Sequence, residues 1–148
     1  MKLKIFLFSI SMFLVANIGF AQKKNAAKNI IRDNVAISKY HDIEELQNMQ
    51  KGELLDLYIE RIDVLVKILP YIAFTTKPGV TMEDLGIPNN SDNRKTLESE
   101  FESTDDYLKN STEFQKKMLP YSDSTNLISG ILFYEETLKS LHEYGQYH

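Results

Sequence analysis

Glu53–Phe74, ELLDLYIERIDVLVKILPYIAF, decides the fold. Leu55, Tyr58, Ile62, Leu65, Leu69 and Ile72 recur at intervals of three and four, which stacks them along one seam of a helix. Leu54, Ile59, Val66 and Ile68 widen that seam on both sides, so the apolar face is broader than the pairing of two helices requires. Such a helix needs neighbours on more than one side. Glu53, Asp56, Glu60, Asp63 and Lys67 gather on the remaining strip, which is expected to face water, with Asp63 four residues before Lys67 in the favourable order for an ion pair. Pro70 lacks a backbone N–H and disfavours helical geometry at Leu69, so the helix ends there or kinks and runs on to Phe74.

Toward the C-terminus, Lys77-Pro78-Gly79 has Pro and Gly in the order of a type II turn. Thr81 can cap a single helical turn over Met82–Leu85, closed by Gly86 and stopped by Pro88. A helix from about Asp92 to Met118 carries the stripe Leu97, Phe101, Thr104, Leu108, Phe114 and Met118, and a last one, capped by Asp123, carries Leu127, Ile128, Ile131, Tyr134, Leu138 and Leu141. Glu135 and Lys139 read as an exposed pair on that helix, and Gly130 inside it predicts the close approach of another backbone. Lys67-Ile68-Leu69-Pro70-Tyr71 and Lys117-Met118-Leu119-Pro120-Tyr121 lie 50 residues apart. The pair suggests either two Pro-Tyr corners on one rim of the bundle or simply two proline-stopped helix ends.

Toward the N-terminus, Gly52 is expected to separate the central helix from a short one, or to bend the two where they join; in the short one Asp42 and Glu45 have the spacing of a capping box ahead of Ile43, Leu46 and Met49. Ile30, Ile31, Val35 and Ile37 suggest a helix through Tyr40, although the segment is β-branched enough to be extended. Gln22–Asn29 reads as a frayed start to the mature chain. Met1–Ala21 has a basic start at Lys2 and Lys4, an apolar run to Ile18 and small residues at Gly19 and Ala21, the pattern of a cleaved secretory signal. About 14 apolar residues fall short of the roughly 20 that span a bilayer, which argues against a retained anchor. The fold class is therefore all-α: a cleavable signal peptide over residues 1–21, then one domain over 22–148, an up-and-down helical bundle of about four helices. The mature protein is expected to be soluble, in the periplasm or outside the cell.

Chemistry is sparse. The chain has no cysteine, which excludes disulfides, thiolate nucleophiles and cysteine metal knuckles. The three histidines, His41, His142 and His148, form no HExxH or Glu-x-x-His pair; His142 with the terminal His148 is the single arrangement suited to copper or nickel. No GxSxG, SxxK, phosphate loop or calcium loop occurs. Carboxylate pairs at Glu135-Glu136, Asp105-Asp106 and Glu83-Asp84 could serve acid and base chemistry, but their setting on charged stretches reads as a solvated face. Asn89-Asn90-Ser91 and Asn110-Ser111-Thr112 fit the Asn-glycosylation acceptor pattern.

Lys and Arg number 17 against 21 Asp and Glu, a net charge of -4, and loss of Lys2 and Lys4 with the leader makes the mature chain more acidic still. Nucleic acid is a poor partner for such a chain. No cofactor is implied, and the function expected is non-enzymatic: binding a protein partner, an immunity or inhibitor role being one form. The long Thr75–Asn93 connection and the Pro-Tyr corners supply the contact surface, with Tyr71, Lys77, Pro78, Met82, Asp84, Ile87 and Tyr121 as candidate residues. The alternative is a carrier of a small apolar ligand between the helices, and a carboxylate-based enzyme is a third reading.

Overall fold

A computed structural model of the chain describes residues 26–145. The signal segment Met1–Ala21, the residues up to 25 and the tail with Tyr147 and His148 lie outside the described residues. Among those described there are four α-helices and no strand: α1 (Ile43–Gln47), α2 (Lys51–Ile68), α3 (Ser91–Met118) and α4 (Ser124–Tyr144).

Local sequence sets most of the boundaries. Asp42 accepts from the backbone N–H of Glu45 while the Glu45 carboxylate accepts from that of Asp42, closing the capping box that starts α1. The break before α2 falls at Asn48–Gln50 rather than at Gly52, because the Gln50 N–H donates to Glu53 and the helix begins at Lys51, leaving Gly52 in its first turn. Pro70 ends the α-helical part of the central segment: α2 stops at Ile68 and Leu69–Tyr71 tightens into a single 3-10 turn. The same happens at Leu119–Tyr121 after α3.

Helix α2 is the centre, with partners on two sides as the width of its apolar face demands. Tyr58 meets Gly130 and Tyr134, and Arg61 meets Glu135, so α4 runs parallel to α2. Lys51 Nζ donates to the Pro120 carbonyl at 2.7 Å while the Tyr71 ring lies edge-on to Phe101, so α3 runs antiparallel. The two Pro-Tyr corners therefore sit at opposite ends of α2, about 27 Å apart at 1.5 Å per residue, and do not share a rim. The approach predicted at Gly130 is real, but it is made by a ring and not by backbone: an added Cβ would lie 2.6 Å from Tyr58 Cε2. Tyr58 and Tyr134 hydroxyls are 3.1 Å apart, and burial, then the Tyr58 hydroxyl, push the Tyr134 pKa upward.

The Ile30–Tyr40 segment forms no helix. It is an irregular strap tied to the α2–α3 connection: Ile30 N–H donates to Val80, Gly79 N–H to Ile31 and Met82 N–H to Lys28. Adjacent Ile30 and Ile31 are both buried, their backbone bonding to Val80 and Gly79 of the connection rather than within a helix. The strap is also pinned to α3 by ion pairs of Lys28 with Glu98 and Arg32 with Asp105. Arg32 donates to both Asp105 oxygens, at 2.8 and 2.5 Å.

The Arg32 guanidinium holds the Asp105 carboxyl below the usual carboxylate range, against some desolvation. Because the folded-state pKa is the lower one, the stabilisation is complete above the unfolded value of about 3.9 and is lost as pH falls through the folded value. With the side chains 33% and 46% exposed, screening limits it. Asp105→Asn is expected to lower stability by about 0.5 kcal/mol at neutral pH, the gap from wild type closing as urea titrations are carried to acid pH.

The core has two parts. One gathers Ile30, Ile31, Val35, Val64, Leu65, Ile68, Tyr71, Met82, Leu97, Phe101 and Leu138; the other gathers Leu46, Leu54, Leu127 and Ile131. On α2 the residue between them is Arg61, and on α4 it is Glu135. Not all of the α3 stripe is covered: Leu97, Phe101, Thr104 and Leu108 are buried, whereas Phe114 and Met118 are 64% and 48% exposed.

Candidate functional site

Two features depart from an ordinary bundle, a buried charge cluster and an apolar cleft. In the first, Arg61 and Glu135 are both fully buried. Arg61 Nε donates to Glu135 Oε1 at 2.9 Å, and Nη2 donates to the Lys39 carbonyl at 2.6 Å. His41 adds its backbone N–H to Glu135 Oε2 at 2.6 Å and sets its ring Nδ1 3.0 Å from Oε1 and 3.3 Å from Arg61 Nη2. Glu60 comes within 2.9 Å of Arg61 Nη1, yet the N–H does not point at it and Nη1 makes no hydrogen bond among the described residues. Glu135 therefore does not belong to a solvated face and does not pair with Lys139, whose nearest carboxylate is Glu136 at 3.9 Å. With Arg61 and Glu135 sealed and the His41 side chain 10% exposed, the cluster is closed to a substrate. What it does is clamp the strap onto α2 and α4.

Motifs do not point to Arg61, and they point to Glu135 only as one of an adjacent carboxylate pair. A register argument finds them: Arg61 stands seven residues from Leu54 and from Ile68, and Glu135 falls between Ile131 and Leu138. Opposite charges at core positions of two helices predict a buried pair. Of the other carboxylates considered, Asp105 is tied to Arg32, while Asp106, Glu83, Asp84 and Glu136 are exposed. Among the described residues no group of three or more His, Asp or Glu could hold a metal. His142 lines a cavity, and His148 lies outside the described residues.

The second feature is a cleft of about 810 Å³ between the start of the α2–α3 connection and the end of α4. Ile72, Ala73, Phe74, Val80, Leu85, Leu141 and Tyr144 give it apolar walls, with Thr75, Thr76, Lys77 and Gly145 completing it. Ile72, Phe74 and Tyr144 are 46, 55 and 71% exposed, an arrangement that leaves large apolar surface in water unless something covers it. A second cavity, of about 130 Å³, opens next to it under the strap, and Thr76 and Leu141 line both. The connection that makes the cleft is held by its own chemistry. Thr81 N–H and Oγ1 donate to Asp84, Thr81 Oγ1 accepts from Asp84 N–H, and Gly86 at φ 72° closes the 3-10 turn Glu83–Leu85. Those Thr81 bonds, the side-chain one foremost, lower the Asp84 pKa.

The seven candidate contact residues do not form one surface. Tyr71 and Met82 are 6% and 2% exposed and belong to the core, because the strap crosses over the connection and buries them. Ile87 packs half-buried against that core. Lys77, Pro78 and Asp84 are exposed, Lys77 lining the cleft and Pro78 the smaller cavity. Tyr121, 87% exposed, sits at the far end beside Lys51. No protein-family model matches this chain, and no curated protein or solved structure is significantly similar to it.

Proposed function

We propose that this is an exported, non-enzymatic binding protein that takes an apolar guest in the cleft beside the end of α4. The observation that carries the reading is the cleft itself: about 810 Å³, apolar-walled and concave, within the range of about 300–1,000 Å³ typical of small-molecule sites. The sealed ion cluster supports a non-catalytic role, since its charged groups serve to fix the strap. Export rests on the leader pattern of Met1–Ala21, and no helix of the described residues is long and apolar enough to cross a membrane. The test is uptake of a neutral long-chain probe, hexadecan-1-ol, followed by native mass spectrometry or displacement of an apolar dye. Ile72→Asp with Phe74→Asp, both at exposed positions, is expected to weaken uptake by at least about tenfold by bringing charge into the apolar wall. A protein that takes up neither probe nor dye would refute the reading.

A protein partner is the second reading, favoured by one observation. Tyr107, Phe114 and Met118 share an exposed face of α3 by spacing, and Tyr121 continues it past the helix end. A partner using that face would be lost with Phe114→Glu and Met118→Glu but kept by the cleft variant.

A further inference from the structure

The cleft has a charge pattern that its size alone does not require. The chain carries 21 acidic residues and a net charge of -4, yet none of the residues lining the cleft or the adjoining cavity is acidic. The charged or chargeable groups there are Lys77 at the cleft and His142 at the cavity, with Tyr40 and Tyr144 as phenols. Among the described residues Lys28, Lys39, Lys67 and Lys139 are each paired with an acid. Lys77 has no ion pair among the described residues; its backbone N–H donates to Thr75 Oγ1, and its ammonium is left to solvent. The hydroxyl of Thr76, next to it, also lacks a hydrogen-bond partner among the described residues, but it lies sealed against Gly145 and offers no surface to the cleft.

An apolar trough, a lysine on its wall without an ion pair and no carboxylate to repel an anion describe one ligand chemistry. We propose that the cleft binds a long-chain aliphatic carboxylate, its alkyl chain along Ile72, Phe74, Leu85 and Leu141 and its head group on Lys77. The proposal rests on the reading of the cleft as a guest site and adds the class of guest. The carboxylate gains a charge-assisted bond to Lys77 that a neutral chain of the same length cannot make. The chain supplies the hydrophobic part of the affinity.

The test compares hexadecanoate with hexadecan-1-ol by isothermal titration of the full protein, wild type against Lys77→Met. Lys77 is exposed, so the variant is expected to fold as the wild type does. The expected result is that hexadecanoate binds wild type about tenfold more tightly than the alcohol and that Lys77→Met abolishes the preference. Equal affinity for the two probes, or a preference that survives Lys77→Met, would overturn the assignment while leaving an apolar cleft in place. Failure of both probes to bind would remove the cleft reading and this inference together.

Discussion

Replacing Glu135 with leucine is expected to cost up to about 3–5 kcal/mol, measured as a loss of urea midpoint at unchanged slope, because the buried Arg61 guanidinium loses the anion bonded to Nε and keeps only the partly exposed Glu60 carboxylate, 2.9 Å from Nη1. Arg61 is fully buried, and the groups that remain near it are the Lys39 carbonyl, His41 and a Glu60 carboxylate that does not receive the Nη1 hydrogen. None replaces the bond from Nε to Glu135. The same argument makes the double variant informative. Arg61→Met with Glu135→Leu removes both charges together with their desolvation cost, and it is expected to lie within about 1 kcal/mol of wild type or above it. A single variant that loses less than about 1 kcal/mol would mean that Arg61 reaches water when its partner is gone.

Ile31→Ala is expected to destabilise by about 2–5 kcal/mol in the same assay, the range for deleting a large aliphatic side chain from a core. Ile31 is completely buried, at the point where the strap bonds to Gly79 and Val80, and it packs with Met82, Leu97 and Phe101 in the larger of the two core parts. A segment that merely lay along the surface would tolerate the change with a loss of about 0.5 kcal/mol or less. The two substitutions probe different anchors of one strap, its charged clamp at His41 and its apolar plug at Ile31.

The helices were legible in the sequence and the strap was not, and the reason is where the information resides. Asp42 with Glu45, Pro70 and Pro120 act on their own neighbours within a few residues, so their effect on α1, α2 and α3 can be read locally. The strap takes its shape from Gly79, Val80 and Met82, about fifty residues downstream, and no local period reports that pairing. Gly130 shows an intermediate case. The close approach could be foreseen, but that a Tyr58 ring fills it depends on the parallel register of α2 and α4. For the candidate site, the connection after α2 that the sequence marks out borders the cleft. Its exposed Lys77 and Pro78 border cavities, while Tyr71 and Met82 are consumed by the core and Tyr121 lies at the opposite end. A helical stripe tells which side chains point inward, not which of them another segment will cover.

The position of Arg61 and Glu135 between the two apolar clusters fixes how α2 can sit against α4. Two greasy rods can slide past one another by a helical turn, about 5.4 Å, at small cost if every layer looks alike. Here such a slip would thrust the guanidinium against Leu138 or Ile131 and strand the carboxylate among hydrocarbons, so only one alignment is tolerable. The chain thereby trades some stability for an indexed joint, and the mouth of the cleft, hung between the far end of α4 and the loop leaving α2, inherits a fixed width from it.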